Sequence, residues 1–453
     1  MAKLNVPNSQ LRALLAEAGW TGEQLAQAVN RAGRSSGLAL SYQRASVSQW
    51  LAGTTPRPPV SDLVAEVLTL RLGRRVTPLD AGFAKKPAPA STAEQENSVH
   101  WRSVLLTSLD KPSTAAGATR IYRAASLPGT EEIPMAWPDG AAVEGLAPSA
   151  AELRWAGSMV TLFSVADRTF GGGHARPALQ GFLAHTVAPW LSAPASPGVR
   201  RELLTTAARL TYLCGFMNFD DERQGTAQSL YRLSLSLCEG ADDQTGAALA
   251  LRALSVQSRA LGYFANARVL AEAAVARGAR QAPRHVRASL IGQLGVAEAA
   301  SGNKKEALRL LGRAESNLGR TSDAPHDVGA FDTAAFAHQE AVVMHYLGQK
   351  KDALLALERS VRLRRPGEAR SQAILLARLA ERQLAQGHVE AACQTWHGFL
   401  DLIPGLTSRR IDRARNELAA RLRPYRTLPA VAALLRRNSA LIPDRDGATS
   451  GMR

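Results

Sequence analysis

The chain has 453 residues, 45% of them hydrophobic but only 5% aromatic, and carries 55 Lys and Arg against 39 Asp and Glu, a net charge of +16. Such a length allows roughly two to four domains, and a content rich in Ala, Leu and Arg favours helix over sheet, because these residues lose little on entering a helix. A soluble chain this basic is drawn to polyanions, nucleic acid foremost.

The first helix is carried by LRALLAEAGW, with Leu11, Leu14, Leu15 and Ala18 on one face and Gly19 as its stop. Thr21 and Gln24 form the capping box of a second helix, in which Leu25 and Ala28 or Val29 are buried. RAGRSSG then reads as a polar loop. A third helix runs through YQRASVSQWLAG. There Val47, Trp50 and Leu51 form the buried stripe, while Arg44, Ser46, Ser48 and Gln49 take the other sides. Gly53 stops it and TTPRPPV leads out. Val60, Val64, Val67 and Leu68 mark a fourth helix, closed by the basic RLGRR, and TPLDAGF makes a short last turn. Residues 1–83 hold nine basic and five acidic side chains, a balance that suits duplex binding.

LAQAV in the second helix and SVSQWLAG with its following Pro in the third resemble the Cro/repressor-like (XRE) helix-turn-helix family. In that family the third helix reads double-stranded DNA. The resemblance implies base-reading positions at Arg44, Ala45 and Ser46, with Gln49 one turn on; Ser48 shares the polar face. Arg can fork onto guanine and Gln onto adenine. Gln43, Thr54, Thr55 and Arg57 would lie near phosphates. The long loop expected between the second and third helices departs from the family pattern.

Residues 84–98, AKKPAPASTAEQENS in outline, read as a flexible linker. Residues 99–200 read as an irregular segment followed by helices, with turn signals through LPGTEEIPMAWPDG and order returning at 149. FGGGHARPAL gives a glycine-rich turn before a helix that HARPAL opens, Pro177 lying in its first turn. Such a loop can bind an anion, but it lacks the lysine and the strand of a P-loop, and a close helix–helix corner explains it better. His174 and His185 are not at metal-ligand spacing.

Residues 201–430 read as helix pairs with a recurring pattern. A Gly is followed five residues on by an Ala that opens the second helix: Gly262 and Ala267, Gly302 and Ala307, Gly348 and Ala353, Gly387 and Ala392. A degenerate first copy puts Glu222 before Ala227. The alanines step by 40, 40, 46 and 39. Small residues recur seven before the turn (Gly215, Ser255, Gly295, Ala341, Ala380) and seven after the alanine (Ser234, Ala274, Ala314, Ser360), where Phe399 is the exception. Small side chains at such spots let helices approach closely, as a solenoid needs. The pattern looks like tetratricopeptide repeats, with a longer step. The fold expected is therefore all-α: an N-terminal helix-turn-helix bundle and a C-terminal helical solenoid, with 431–453 as cap and tail. SRRIDRARNELAARLRPYR reads as the capping helix, and DRDGATSGMR should fray.

The repeat resemblance implies groove-facing positions at Arg209, Tyr212, Arg252, Arg259, His338 and His345. A basic, partly aromatic groove suits a carboxylate-bearing ligand, though plain solvation of exposed arginines accounts for them nearly as well. Arg252 and Arg259, like His338 and His345, are two turns apart, about 10 Å, too far to share one metal ion. FGGGHARPAL followed by LCGFMNFDDERQGTAQSLYRLSLSL resembles actinobacterial regulators with an XRE-type head and a repeat-bearing body, similar in layout to peptide-sensing regulators of Gram-positive bacteria. The resemblance implies a homodimer that senses a signalling peptide or small molecule. No GxSxG, HExxH or P-loop lysine is present, so neither catalysis nor a cofactor is expected. The cysteines at 214, 238 and 393 form no CxxC pair, MAKLNVPNSQ has no signal-peptide core, and no uncharged apolar run would span a bilayer. A cytoplasmic protein that avoids membranes is the expectation. The competing reading is a non-catalytic protein-interaction scaffold.

Overall fold

The computed structural model describes residues 7–35, 38, 40–57, 60–72, 76, 78–83, 101–109, 122–123, 147–278, 280–318 and 331–441. Residues 84–98 with the expected linker, most of the irregular stretch before 147 and the C-terminal tail lie outside them. The fold is all-α: among the described residues there is no strand. The chain divides into two compact units, one within 1–155 and 180–274, the other within 156–179 and 275–453. The helix pairs of 201–430 are thus shared between the units.

The first unit begins with a four-helix bundle, the head. Helices α1 (Ser9–Ala18), α2 (Gly22–Ser35), α3 (Arg44–Leu51) and α4 (Val60–Leu72) surround a core of Leu11, Leu14, Leu15, Leu25, Val29, Val47, Trp50, Leu63, Val64 and Leu68. The expected capping box is formed: the Thr21 N–H donates to Gln24 Oε1 at 2.8 Å and the Gln24 N–H to Thr21 Oγ1 at 3.3 Å. The loop expected at RAGRSSG is a correction, because α2 continues through Ser35. Glycine lowers helix propensity by about 1 kcal/mol, but here its bare flank is filled. A Cβ on Gly33 would stand 2.5 Å from Leu40 Cδ1, so Leu40 packs directly onto the helix backbone. Tertiary packing outweighs the local breaker.

The same unit holds α5 (Trp101–Ser108), the end of α7 (Gly172–Phe182), a π-turn at Leu183–Val187, α8 (Ala188–Ser192), α9 (Pro197–Asp220), α10 (Gln224–Gly240), α11 (Gln244–Ala260) and most of α12 (Phe264–Gly278). The π-turn comes just before Pro189, whose ring would clash with a carbonyl of a regular α-turn.

The second unit takes most of α6 (Ala150–Phe170) and the start of α7, then α13 (Arg284–Ala300), α14 (Lys304–Leu318), α15 (Thr333–Tyr346), α16 (Lys350–Leu363), α17 (Ala369–Ala385), α18 (Val389–Leu402), α19 (Arg409–Leu422) and α20 (Pro429–Ala440). The expected capping helix is α19. It shares with α20, which falls largely within the stretch expected as cap and tail, a core of Trp396, Phe399, Leu400, Ile411, Leu418, Val431 and Leu434. Phe399 breaks the small-residue pattern because it fills the space beneath this cap.

The repeat spacing has a direct physical counterpart. Every turn position inside a helix pair is left-handed: Glu222 at φ 58°, Gly262 and Gly302 at 88°, Gly348 at 75° and Gly387 at 84°. Glycine takes that conformation without penalty, whereas an L side chain costs roughly 1–2 kcal/mol. The small residue of the first helix meets the opening alanine of the second. Ser255 Oγ donates to the Ala267 carbonyl at 2.7 Å. A Cβ on Gly295 would lie 3.3 Å from the Ala307 carbonyl oxygen, and one on Gly215 would lie 2.9 Å from the Tyr231 ring. Seven residues after the alanine, Ser234 donates to the Ala208 carbonyl at 2.9 Å, and Ser360 to the Ala334 carbonyl at 2.8 Å. The same buried bond, spanning 26 residues, is made in both units.

FGGGH forms the corner favoured above. Gly171 sits at φ 89°, and a Cβ there would lie 2.5 Å from the Thr407 carbonyl oxygen. The Thr407 N–H donates to the Phe170 carbonyl at 2.7 Å, and the Gly173 N–H donates to Thr407 at 2.9 Å. The helix that follows starts at Gly172 rather than within HARPAL, so Pro177 lies inside α7 and not in its first turn.

Candidate nucleic-acid interface

α3 has a dry side and a wet side. Val47 is fully buried and Trp50 is 4% exposed, packed edge-on against Tyr42 at 5.2 Å and Phe83 at 6.4 Å. The opposite side carries exposed Gln43, Arg44, Ala45, Ser48 and Gln49, with Ser46 partly covered. The chain leaving the helix adds exposed Thr54, Thr55 and Arg57, while Pro56 between them is buried. Of the nine residues expected to face DNA, all but Ser46 are thus exposed, on or just beside a single short helix.

Two asparagines that sequence reasoning did not single out fix this helix. Asn30 on α2 clamps the entry: its Nδ2 donates to the Tyr42 carbonyl at 2.8 Å and its Oδ1 accepts from the Tyr42 N–H at 2.9 Å. Asn8 ties the exit. Its backbone N–H donates to the Leu51 carbonyl at 3.0 Å, its Oδ1 caps α1 through the Leu11 N–H at 2.9 Å, and its Nδ2 reaches the Ala81 carbonyl at 2.8 Å. Both sat in polar positions without periodicity, so nothing in the sequence distinguished them from solvated residues.

Not all nine residues are equally available. Ser48 Oγ donates back to the Arg44 carbonyl at 3.1 Å, and the Gln43 N–H leans on Ser46 Oγ at 3.5 Å. These hydroxyls serve the helix. Arg44 and Gln49, whose long side chains are exposed five residues apart, have the reach to meet base edges.

Residues 11–84 match the SP15 N-terminal domain. The match covers the head from α1 to the turn after α4. No curated protein matches the chain.

The head's fourth helix is engaged differently. Glu66 is 7% exposed and accepts from the Tyr263 hydroxyl at 3.3 Å. Tyr263 stacks on Tyr122, with centroids 5.3 Å apart, and the Tyr122 hydroxyl bonds Ser258 Oγ on α11. Burial and the nearby Glu66 charge push both phenols above their ordinary range, so both stay protonated. Beside them Arg123 pairs with Asp62 at 2.8 Å, while its backbone N–H donates to Gln228 Oε1 on α10 at 2.8 Å. Residues 122–123 thus bridge α4 to α10 and α11. This joint was missed because it pairs residues up to 197 apart through polar contacts with no spacing signature.

The six expected groove residues fall into two sets. Arg209, Tyr212, Arg252 and Arg259 belong to α9 and α11 of the first unit, all partly covered. Burial raises the Tyr212 phenol, opposed by the Arg252 guanidinium beside it. His338 and His345 are on α15 of the second unit, His338 partly covered and His345 exposed. His338 contacts Arg378, and the His345 ring lies tilted against that of Tyr346 with centroids 5.6 Å apart. Among the described residues no group of three or more His, Cys, Asp or Glu side chains could hold a metal ion, and no helix is long and apolar enough to cross a membrane. Cys214, Cys238 and Cys393 are all buried, and burial raises the Cys238 and Cys393 thiols.

Proposed function

We propose that the chain is a sequence-selective, double-stranded-DNA-binding transcriptional regulator that works in the cytoplasm as a homodimer. Its helical repeats hold a peptide or small-molecule effector. The observation that carries this reading is α3: a short helix locked from behind by Trp50, Val47, Asn30 and Asn8, and presenting Arg44 and Gln49 outward with Arg57 at its flank. A helix held rigidly with a polar, cationic outer face is what major-groove reading requires. The XRE-like pattern of SVSQWLAG points the same way. The reading assigns no catalytic step to the protein.

The joint between α4 and residues 122–123 supports the regulatory half. It links the head to α10 and α11, and α11 also carries Arg252 and Arg259. An effector seated against those arginines changes the setting of the helix on which the head's anchor rests.

The test is a mobility shift with the duplex upstream of the protein's own coding sequence against a scrambled duplex, at several salt concentrations. The reading expects a preference for one sequence that persists as salt rises, since base contacts do not depend on counterion release. Equal shifts of both duplexes, or none, would transfer the case to the interaction-scaffold reading.

A further inference from the structure

The first helices of the last two complete pairs, α15 and α17, turn histidine and arginine side chains toward one another. Arg378 Nη1 lies 2.8 Å from His338 Nε2. A guanidinium only donates, so the imidazole nitrogen is the acceptor in this contact. One turn along α17 stands Arg382; two turns along α15 from His338 stands His345. The Arg382 charge, after burial, holds His345 below its ordinary range. Tyr346 stands beside both.

Arg382 sets this cluster apart. It is half-buried, and burial lowers its pKa. Three covered arginines of the same unit have carboxylates: Arg364 with Glu368 at 3.1 Å, Arg370 with Asp167 at 3.1 Å, Arg359 with Glu340. Among the described residues the Arg382 guanidinium makes no hydrogen bond or ion pair to a carboxylate. Glu381, next in sequence, is engaged by Arg421 at 3.5 Å. A partly covered guanidinium that no carboxylate engages keeps its donors open to an anion from outside.

We propose that Arg378, Arg382, His338 and His345 form a binding site for the carboxylate or phosphate groups of an acidic ligand. This rests on the reading that the repeats hold an effector, and adds to the arginines of α11 a second anion-binding seat, on α15 and α17. Guanidinium forks match carboxylate and phosphate in shape as well as charge. Two of them one helical turn apart, about 6 Å, suit a ligand with two acidic groups, such as an acidic peptide or a phosphorylated metabolite.

The experiment is calorimetric titration of the full chain with two probes separately, a triglutamate peptide and inorganic phosphate, which distinguishes the carboxylate from the phosphate source. At least one is expected to bind saturably. Arg382→Gln should weaken it roughly tenfold or more, the scale of a lost charge-assisted bond. Arg382→Lys, which keeps the charge but loses the fork, should retain part of the affinity, and melting curves establish that both variants fold. Arg313→Gln, an exposed change on α14, should leave binding unaltered. Failure of both probes, or equal weakening by the changes at 382 and 313, overturns the site. The duplex shift is run on the same preparations. A lost site with an intact shift overturns only the anion proposal, and a missing shift with an intact site overturns only the DNA reading.

Discussion

Two helices of the head, α3 and α4, are built alike on the inside and used differently on the outside. Both bury an apolar stripe in one core, Val47 and Trp50 from α3, Leu63, Val64 and Leu68 from α4. α4 also carries two acids, and the chain itself engages them: Asp62 meets Arg123, and Glu66 meets Tyr263. On α3 the corresponding groups are Arg44 and Gln49, exposed. The protein answers its own acidic face and leaves the cationic, polar one open. That asymmetry is the physical ground for the proposal that α3 meets an external polyanion while α4 serves internal anchoring.

The sharpest way to break the comparison is to remove what both helices share. Trp50→Ala deletes a ring packed between Tyr42 and Phe83 and should cost about 3–5 kcal/mol. Chemical denaturation monitored by circular dichroism should show the head melting early, and duplex binding should be lost with it. Retained head stability would mean that Trp50 does not organise α3.

Next in size are changes that separate the two faces. Arg44→Ala should weaken binding to the preferred duplex by roughly 1–3 kcal/mol while leaving stability within about 0.5 kcal/mol. Glu66→Gln keeps the shape of the α4 anchor but removes its charge, and should loosen the joint by about 1 kcal/mol. Native-state hydrogen exchange would register this as faster exchange in α4, with α3 unaffected. Arg123→Ala breaks a pair whose arginine is 64% exposed, so its effect on the same measurement should be the smallest of these, about 0–1 kcal/mol. A larger effect from Arg123 than from Glu66 would place the anchor in the ion pair instead of the buried carboxylate.

The repeats add one more check. Asp242, like Glu222, sits in the left-handed region, at φ 55°. Asp242→Gly should raise stability by about 1 kcal/mol or less, by relieving that strain.

The parts of this architecture that were readable from sequence are those in which side-chain size at a fixed spacing encodes a contact. Gly215, Ser255 and Gly295 mark where one helix crosses the next, and even the degenerate Glu222 was placed correctly, at a left-handed turn. The head core was readable because Leu11, Val47, Trp50 and their neighbours repeat at helical period. Errors arose where packing overrides local preference. Gly33 reads as a breaker until Leu40 is seen filling its empty side, and Pro177 reads as a helix opener although the turn at Gly171 starts the helix earlier. Least readable were single polar contacts between distant segments. Nothing in IYRAASL marks Tyr122 as the partner of Tyr263, and Arg378 and Arg382 acquire meaning only beside His338 and His345.

The central claim is that α3 reads sequence while α4 holds the head in place. Selection from a randomised duplex pool, performed on the full chain and on the Arg44→Ala and Glu66→Gln variants, tests it most directly. The account predicts one enriched motif for the unaltered chain, relaxed preference at one position of that motif for Arg44→Ala, and the same motif at altered affinity for Glu66→Gln. No enriched motif in the unaltered chain, or an identical motif after Arg44→Ala, would contradict it.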